Sequence, residues 1–144
     1  MRLLILNGPN LNLLGSRETD VYGLASLADL EQDLRTTFPD VDFHFAQDNN
    51  EGALVDALQQ ADVDDLDGVV FNPGGYGHTS VALRDAIAAI ATPVVEVHIS
   101  YVHAREDFRQ LLILSPVCKG VISGLGLRGY HLAVQSFIKD RADG

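Results

Sequence analysis

The chain has 144 residues, 47% of them hydrophobic, with 20 acidic side chains against 10 Lys and Arg for a formal charge of −10. That length suits one domain over residues 1–144 with one sizeable core, while the charge argues against nucleic acid, whose binders neutralise phosphates with basic patches. No apolar run approaches the roughly 18–20 residues of a membrane span, and no small-residue cleavage site follows Met1-Arg2, so a chain without a signal peptide, located in the cytoplasm, is expected.

Apolar bursts alternate with amphipathic stretches. Leu3–Leu6 predicts a first strand, and the polar loop behind it, Asn7 to Gly23, holds Asn10, Asn12, Arg17 and Tyr22. Ser26 with Asp29 then makes a capping-box start, and Leu27, Leu30, Leu34 and Phe38 share one helical face up to Pro39. Val41–Phe45 alternates, as an edge strand does. Leu54, Ala57, Leu58 and Ala61 repeat the i, i+3, i+4, i+7 spacing of a second helix. Val69–Phe71 predicts the third strand, followed by the loop NPGGYGHTS, Asn72 to Ser80. Thr79 or Ser80 is expected to cap a third helix carrying Leu83, Ile87 and Ile90, which Pro93 ends. The fourth strand, Val94–Val97, runs into EVHISYVHAR, Glu96 to Arg105. Val121–Ile122 predicts a fifth strand, and Val134, Phe137 and Ile138 mark the last helix.

Five strands alternating with helices predict an α/β fold, a flavodoxin-like doubly wound parallel sheet covered on both faces. Ligands of such sheets bind beyond the carboxyl ends of the strands, at the switch point between strands one and three. The three polar loops fall there. An anionic substrate would need local positive charge in this acidic chain, which draws attention to Arg17, Arg105, Arg109 and Arg128.

Several familiar chemistries are not supported. Gly124-Leu125-Gly126-Leu127-Arg128-Gly129 is a literal G-x-G-x-x-G, but it lies in the last unit rather than the first, and a tight turn is the better reading. Gly8 to Gly15 lacks the Lys-Ser/Thr of a phosphate loop. No metal site is expected: His98 and His103 are five apart, no Cys pair exists, His44 should face solvent and His131 should be structural. Cys118, the lone cysteine, is expected to be a buried packing residue. No G-x-S-x-G elbow accompanies Ser80.

Acid–base chemistry remains. Tyr22 sits five residues after Arg17 in one loop, and an arginine brought close could stabilise tyrosinate; packing against the neighbouring helix is the alternative. Glu96 and His98 alternate on a strand and so share a face. The carboxylate could orient the imidazole as a general acid, or the two could form a structural ion pair. Asn12 and Asn72 offer neutral amide donors suited to an enolate oxygen or a carboxylate.

Together LNGPNLNLLGSRETDVYG, NPGGYGHTSVALRDA, EVHISYVHAREDFR and GLGLRGY resemble the type II 3-dehydroquinate dehydratases, in order and over nearly the whole chain. The resemblance implies a cofactor-free anti elimination of water from 3-dehydroquinate, a small anionic substrate, giving 3-dehydroshikimate through an enolate. It implies Tyr22 as base, Arg17 in a mobile lid as its activator, Asn12 steadying the enolate, and His98 with Glu96 protonating the departing hydroxyl. Asn72 with the backbone of Ile99 and Ser100 would hold the carboxylate, and His78, Asp85 and Arg109 the ring hydroxyls. It also implies a homo-oligomer, a dodecamer built as a tetramer of trimers. If helix three starts near Thr79, Asp85 lies ~9 Å along it at 1.5 Å per residue, so Asp85 would complete a neighbour's pocket. The sequence departs from the family pattern at Thr19, Asn50, Gly77 and Tyr101, and in the apolar stretch FRQLLILS, Phe108 to Ser115. A paralogue, or a binding module of the same fold, is the alternative; the joint presence of Tyr22, Arg17 and His98 favours the enzyme.

Overall fold

Each apolar burst becomes a strand of one sheet: β1 (Arg2–Asn7), β2 (Asp42–Gln47), β3 (Gly68–Asn72), β4 (Val94–His98) and β5 (Gly120–Ser123). The computed structural model describes residues 1–16 and 18–143, with side chains through Lys139. All strand pairs are parallel and the order is β2-β1-β3-β4-β5. The helices are α1 (Thr19–Tyr22), α2 (Leu27–Thr37), α3 (Glu51–Val63), α4 (Val81–Ala89) and α5 (Arg128–Asp143).

Successive strand residues point to opposite faces, and the two faces find separate cores. Leu3, Ile5, Val70 and Val95 pack with Leu30 and Leu34 of α2 and with Tyr130, Val134 and Phe137 of α5. Leu4, Leu6, Val69, Phe71 and Val94 pack with Leu54 and Leu58 of α3 and with Leu83 and Ile87 of α4. β3 and β4 are buried along their whole length, as strands covered on both faces must be, whereas β2, at the edge, alternates.

Side-chain caps set where the helices begin. Ser26 and Asp29 form the reciprocal capping box of α2, and the Asn50 side chain accepts from the amides of Gly52 and Ala53 to start α3. Ser80, rather than Thr79, caps α4 by accepting from the Leu83 amide. Between β4 and β5 the chain crosses without an α-helix, through short 3₁₀ turns at Val102–Ala104, Asp107–Arg109 and Ser115–Val117. This strap lies on the same face as α3 and α4, where Leu114 is fully buried.

The chain leaves β1 toward β2 on one side and returns to β3 on the other, so the loops after β1 and β3 part at their carboxyl ends. They start pressed together. The Gly8 amide donates to the Asn72 carbonyl at 2.8 Å, and a Cβ on Gly8 would meet the Pro73 carbonyl oxygen at 2.6 Å. Only glycine allows that approach.

Candidate active site

Four buried polar side chains collect toward the carboxyl end of the sheet. Asn7 ends β1, Asn72 ends β3, and Glu96 and His98 end β4; all four are buried. Asn7 and Asn72 are direct register partners. A cleft of about 250 Å³ opens above them, and it takes in Asn10, Tyr22, Asn72, His78, His98 and Arg105 among its lining residues.

Glu96 is completely buried beneath His98. Its Oε2 lies 2.6 Å from His98 Nε2, and its Oε1 accepts from the Ser115 hydroxyl at 2.6 Å. A carboxylate can only accept, so Nε2 carries the proton in this pair, and Nδ1 is left as the nitrogen that can serve the cleft. His78 lies beside it, with ring centroids 6.0 Å apart. Its Nδ1 is 3.0 Å from the Leu111 carbonyl oxygen, which fixes Nδ1–H as donor and leaves Nε2 an acceptor. Burial holds the His78 imidazole below the ordinary histidine range, helped by its neighbours His98 and Arg109 against the opposing Leu111 hydrogen bond.

The buried amides are organised by a residue of α5. The Tyr130 hydroxyl accepts from Asn72 Nδ2 at 2.8 Å and donates to Asn7 Oδ1 at 2.6 Å. Burial pushes the Tyr130 phenol well up, so it stays a protonated donor. Asn72 Oδ1 takes the Gly74 amide at 3.1 Å. Both ends of the Asn72 amide are thereby assigned, and one N–H remains for the cleft. Sequence reasoning had GLGLRGY in hand but gave Tyr130 no role.

The loop after β1 is nailed down by Leu11 and Leu14, both buried in the core. That anchoring sends Asn12 outward. Asn12 is exposed within the 3₁₀ turn Leu11–Leu13 and is absent from the lining, so the structure does not bring it into the cleft as the sequence reading expected. Asn10, which precedes that turn with φ 70°, lines the cleft instead. Farther along, the loop forms the single helical turn α1, at whose end Tyr22 enters the cleft.

The Tyr22 hydroxyl accepts from Arg105 Nη1 at 3.1 Å, and the same nitrogen donates to Ser100 Oγ at 3.0 Å. Arg105 was singled out by charge alone; its spacing four residues before Arg109 is the signal that could have promoted it. Glu106 ties the two arginines, at 2.8 Å to Arg109 Nε and 3.8 Å to Arg105 Nε. The Arg109 hydrogen bond holds the Glu106 carboxyl below its usual range. Arg109, Ile99 and Ser100 line the cleft as expected. Asp85 is exposed on α4 and does not line the cleft of its own chain, and Arg17 lies outside the described residues.

Other sequence candidates settle as structure. Gly124 and Gly126 have φ of 91° and 61°, a turn ahead of α5. His131 pairs with Asp33 at 2.7 Å and the exposed His44 with Asp42 at 3.7 Å. Among the described residues no group of three or more His, Cys, Asp or Glu is placed to hold a metal ion. Cys118 is partly buried against the α3/α4 core, and burial, with Glu96 nearby, pushes its thiol up to about 12.

The sequence model of the family described as dehydroquinase class II matches residues 1–138. A 3-dehydroquinate dehydratase from an Exiguobacterium species is 58% identical over 140 residues, covering 96% of this chain and 95% of that protein. One from Bacillus pumilus is 55% identical over 139 residues, with 95% and 94% covered. The crystal structure of a type II dehydroquinase from Butyrivibrio crossotus superposes with a TM-score of 0.93 at 41% identity, covering 95% of this chain and 97% of that one.

Proposed function

The chain belongs to the class II dehydroquinase family and acts as a 3-dehydroquinate dehydratase; from that premise we propose how the cleft divides the work of removing water. The reaction takes a proton from the carbon next to a ketone and expels a hydroxyl from the carbon beyond. It therefore needs a base, a place for enolate charge, and an acid.

Tyr22 is the base. What carries this reading is the hydrogen bond from Arg105, which sets a guanidinium against the oxygen that must bear negative charge. Arg17, five residues before Tyr22, is a second cation for the same task. His98 is the acid, delivering a proton from Nδ1 to the departing hydroxyl while Glu96 stabilises the imidazolium through Nε2. Asn10, in the position first assigned to Asn12, steadies the enolate oxygen with a neutral donor.

The substrate carboxylate sits against Asn72 and the segment Ile99–Ser100 at the end of β4. His78, neutral with Nε2 free to accept, takes a ring hydroxyl as donor, and Arg109 lies beside it. A binding module would need neither a cation on a phenol nor a carboxylate behind an imidazole, and that reading is not favoured.

The decisive assay follows the absorbance of the conjugated enone product on incubation with 3-dehydroquinate. Tyr22→Phe should nearly abolish turnover while a product analogue still binds, and His98→Ala should cost on the order of 10²–10⁴-fold in kcat. Arg105→Ala should lower kcat more than it raises KM, as a contact made mainly in the transition state does. A Tyr22→Phe enzyme with near-normal kcat would sink the assignment.

The homo-oligomer we propose is the tetramer of trimers that the family resemblance implies, and the placement of Asp85, exposed on α4 and outside its own cleft, leaves it available to a neighbouring chain. Mixing inactive Asp85→Ala and Tyr22→Phe chains after dissociation should restore part of the activity; no recovery despite proven exchange would refute the shared site. No described helix is long and apolar enough to cross a membrane, and the cytoplasm is the compartment we assign.

A further inference from the structure

We propose that Ser115 is a positioning residue for the proton donor, its hydroxyl holding one oxygen of Glu96 so that the other is committed to His98. The inference rests on His98 being the acid and goes beyond it by assigning the strap between β4 and β5 a part in the chemistry.

Glu96 has no exposure to solvent, and a buried carboxylate is tolerated only where its oxygens find donors. Among the described residues it has two: the Nε2–H of His98 on Oε2 and the O–H of Ser115 on Oε1, both at 2.6 Å. The other titratable groups around it are poor substitutes. The Cys118 S–H is only a weak donor, and His78 spends its Nδ1–H on Leu111. Without the Ser115 hydroxyl, Oε1 would be left bare in the interior. The carboxylate would then turn to share the His98 donor or draw the proton onto itself. Either change degrades an imidazolium that must face the cleft through Nδ1.

Ser115 is itself held by main chain. The Ile113 amide donates to the Gly77 carbonyl at 3.0 Å, Leu114 is fully buried, and the amides of Val117 and Cys118 close the turn onto the carbonyls of Leu114 and Ser115 at 3.1 Å. Two residues before Ile113, the Leu111 carbonyl orients His78. One strap thus sets the protonated nitrogen of both cleft histidines, directly for His78 and through Glu96 for His98. The Gly77 position fits this arrangement: a Cβ there would stand 3.1 Å from His98 Cε1 and 3.4 Å from Glu96 Oε2.

The test uses the assembled enzyme and 3-dehydroquinate. Ser115→Ala should lower kcat by about 10- to 100-fold, the range of one lost hydrogen bond to a charged group, with KM changed by no more than about threefold. Ser115→Thr, which keeps the hydroxyl, should recover most of the loss. In a Glu96→Gln background the same Ala substitution should cost under about twofold, since residues that act as a unit are not additive. Wild-type kcat in Ser115→Ala overturns the proposal, as does an equal loss in the Ala and Thr variants. A full loss retained on the Glu96→Gln background overturns it too. His98→Ala is the control: if that variant keeps its kcat, it is the identity of the acid that has failed, whatever Ser115 does.

Discussion

Tyr130→Phe deletes a single oxygen from a side chain with no exposed surface, and two buried amides lose a partner at once. Asn72 Nδ2 gives up an acceptor at 2.8 Å and Asn7 Oδ1 a donor at 2.6 Å, and both amide side chains are buried. A buried polar group left unpaired costs roughly 1–3 kcal/mol, and removing the phenol's own desolvation returns part of the sum, so the net loss should be about 2–4 kcal/mol. For a domain of this size each kcal/mol moves the midpoint by roughly 3–4 °C, so Tm should fall by roughly 6–16 °C. Melts must be run at one protein concentration, because the assembly proposed above would make Tm depend on it. The same change frees the Asn72 amide to rotate, so KM for 3-dehydroquinate should rise with kcat less affected, the pattern of a contact made equally in ground and transition states. A Tm shift under about 2 °C together with an unchanged KM would refute the reasoning, since one orphaned buried group alone should exceed it.

Asn10→Ala should cut kcat by about 10²-fold or more, as loss of one donor to a developing oxyanion does, whereas Asn12→Ala should stay within about twofold; the reverse order would restore the sequence reading. His78, held low mainly by burial, is neutral when folded and takes its proton only below the ordinary histidine value of about 6.5. Because an unfolded chain binds that proton at higher pH, the contribution of neutral His78 to stability is present in full above the unfolded value and is lost as pH falls from there through the lower folded value. KM should therefore hold steady from pH 8 to about 6.5 and rise only below it, as His78 Nε2 ceases to accept; a rise beginning above pH 7 would contradict the burial argument.

The framework was legible because its signals are local. Apolar bursts such as Leu3–Leu6, a capping box at Ser26 and Asp29, and i, i+3, i+4 stripes such as Leu54, Leu58 and Ala61 each carry their own physics. Even the shared face of Glu96 and His98 follows from strand periodicity. What was not legible depends on contacts between distant segments or on main chain. The carbonyl of Leu111 and the amide of Ile113 bind His78 and Gly77 through groups every residue possesses, so no composition announces them. Tyr130 and Asn7 meet across 123 positions. The choice between Asn10 and Asn12 turns on which way a three-residue turn faces, and that is decided by Leu11 and Leu14 entering the core. Nor does Arg105 show its partner in sequence: Tyr22 lies 83 residues away.

The acidity of the chain looks unsuited to an anionic substrate, but the relevant charge is local. Exposed carboxylates more than about 8 Å away are largely screened at physiological salt, and of the acidic side chains described only Glu96, committed to His98 and Ser115, is buried. At the cleft, Arg105 and Arg109 are only 20% and 26% exposed, so their fields are screened far less. One carboxylate, Glu106, contacts both, and as it is itself exposed it can fix their geometry without cancelling their charge at the substrate. The two guanidiniums are thus held before the substrate arrives. One donates to Tyr22, the base we propose, where charge would move during the reaction; the other lies beside His78, to which we assign the grip on the ring. A single acidic residue between two arginines is therefore part of how an acidic protein receives an anion, and preorganisation of this kind stabilises the transition state without reorganisation at the moment of reaction.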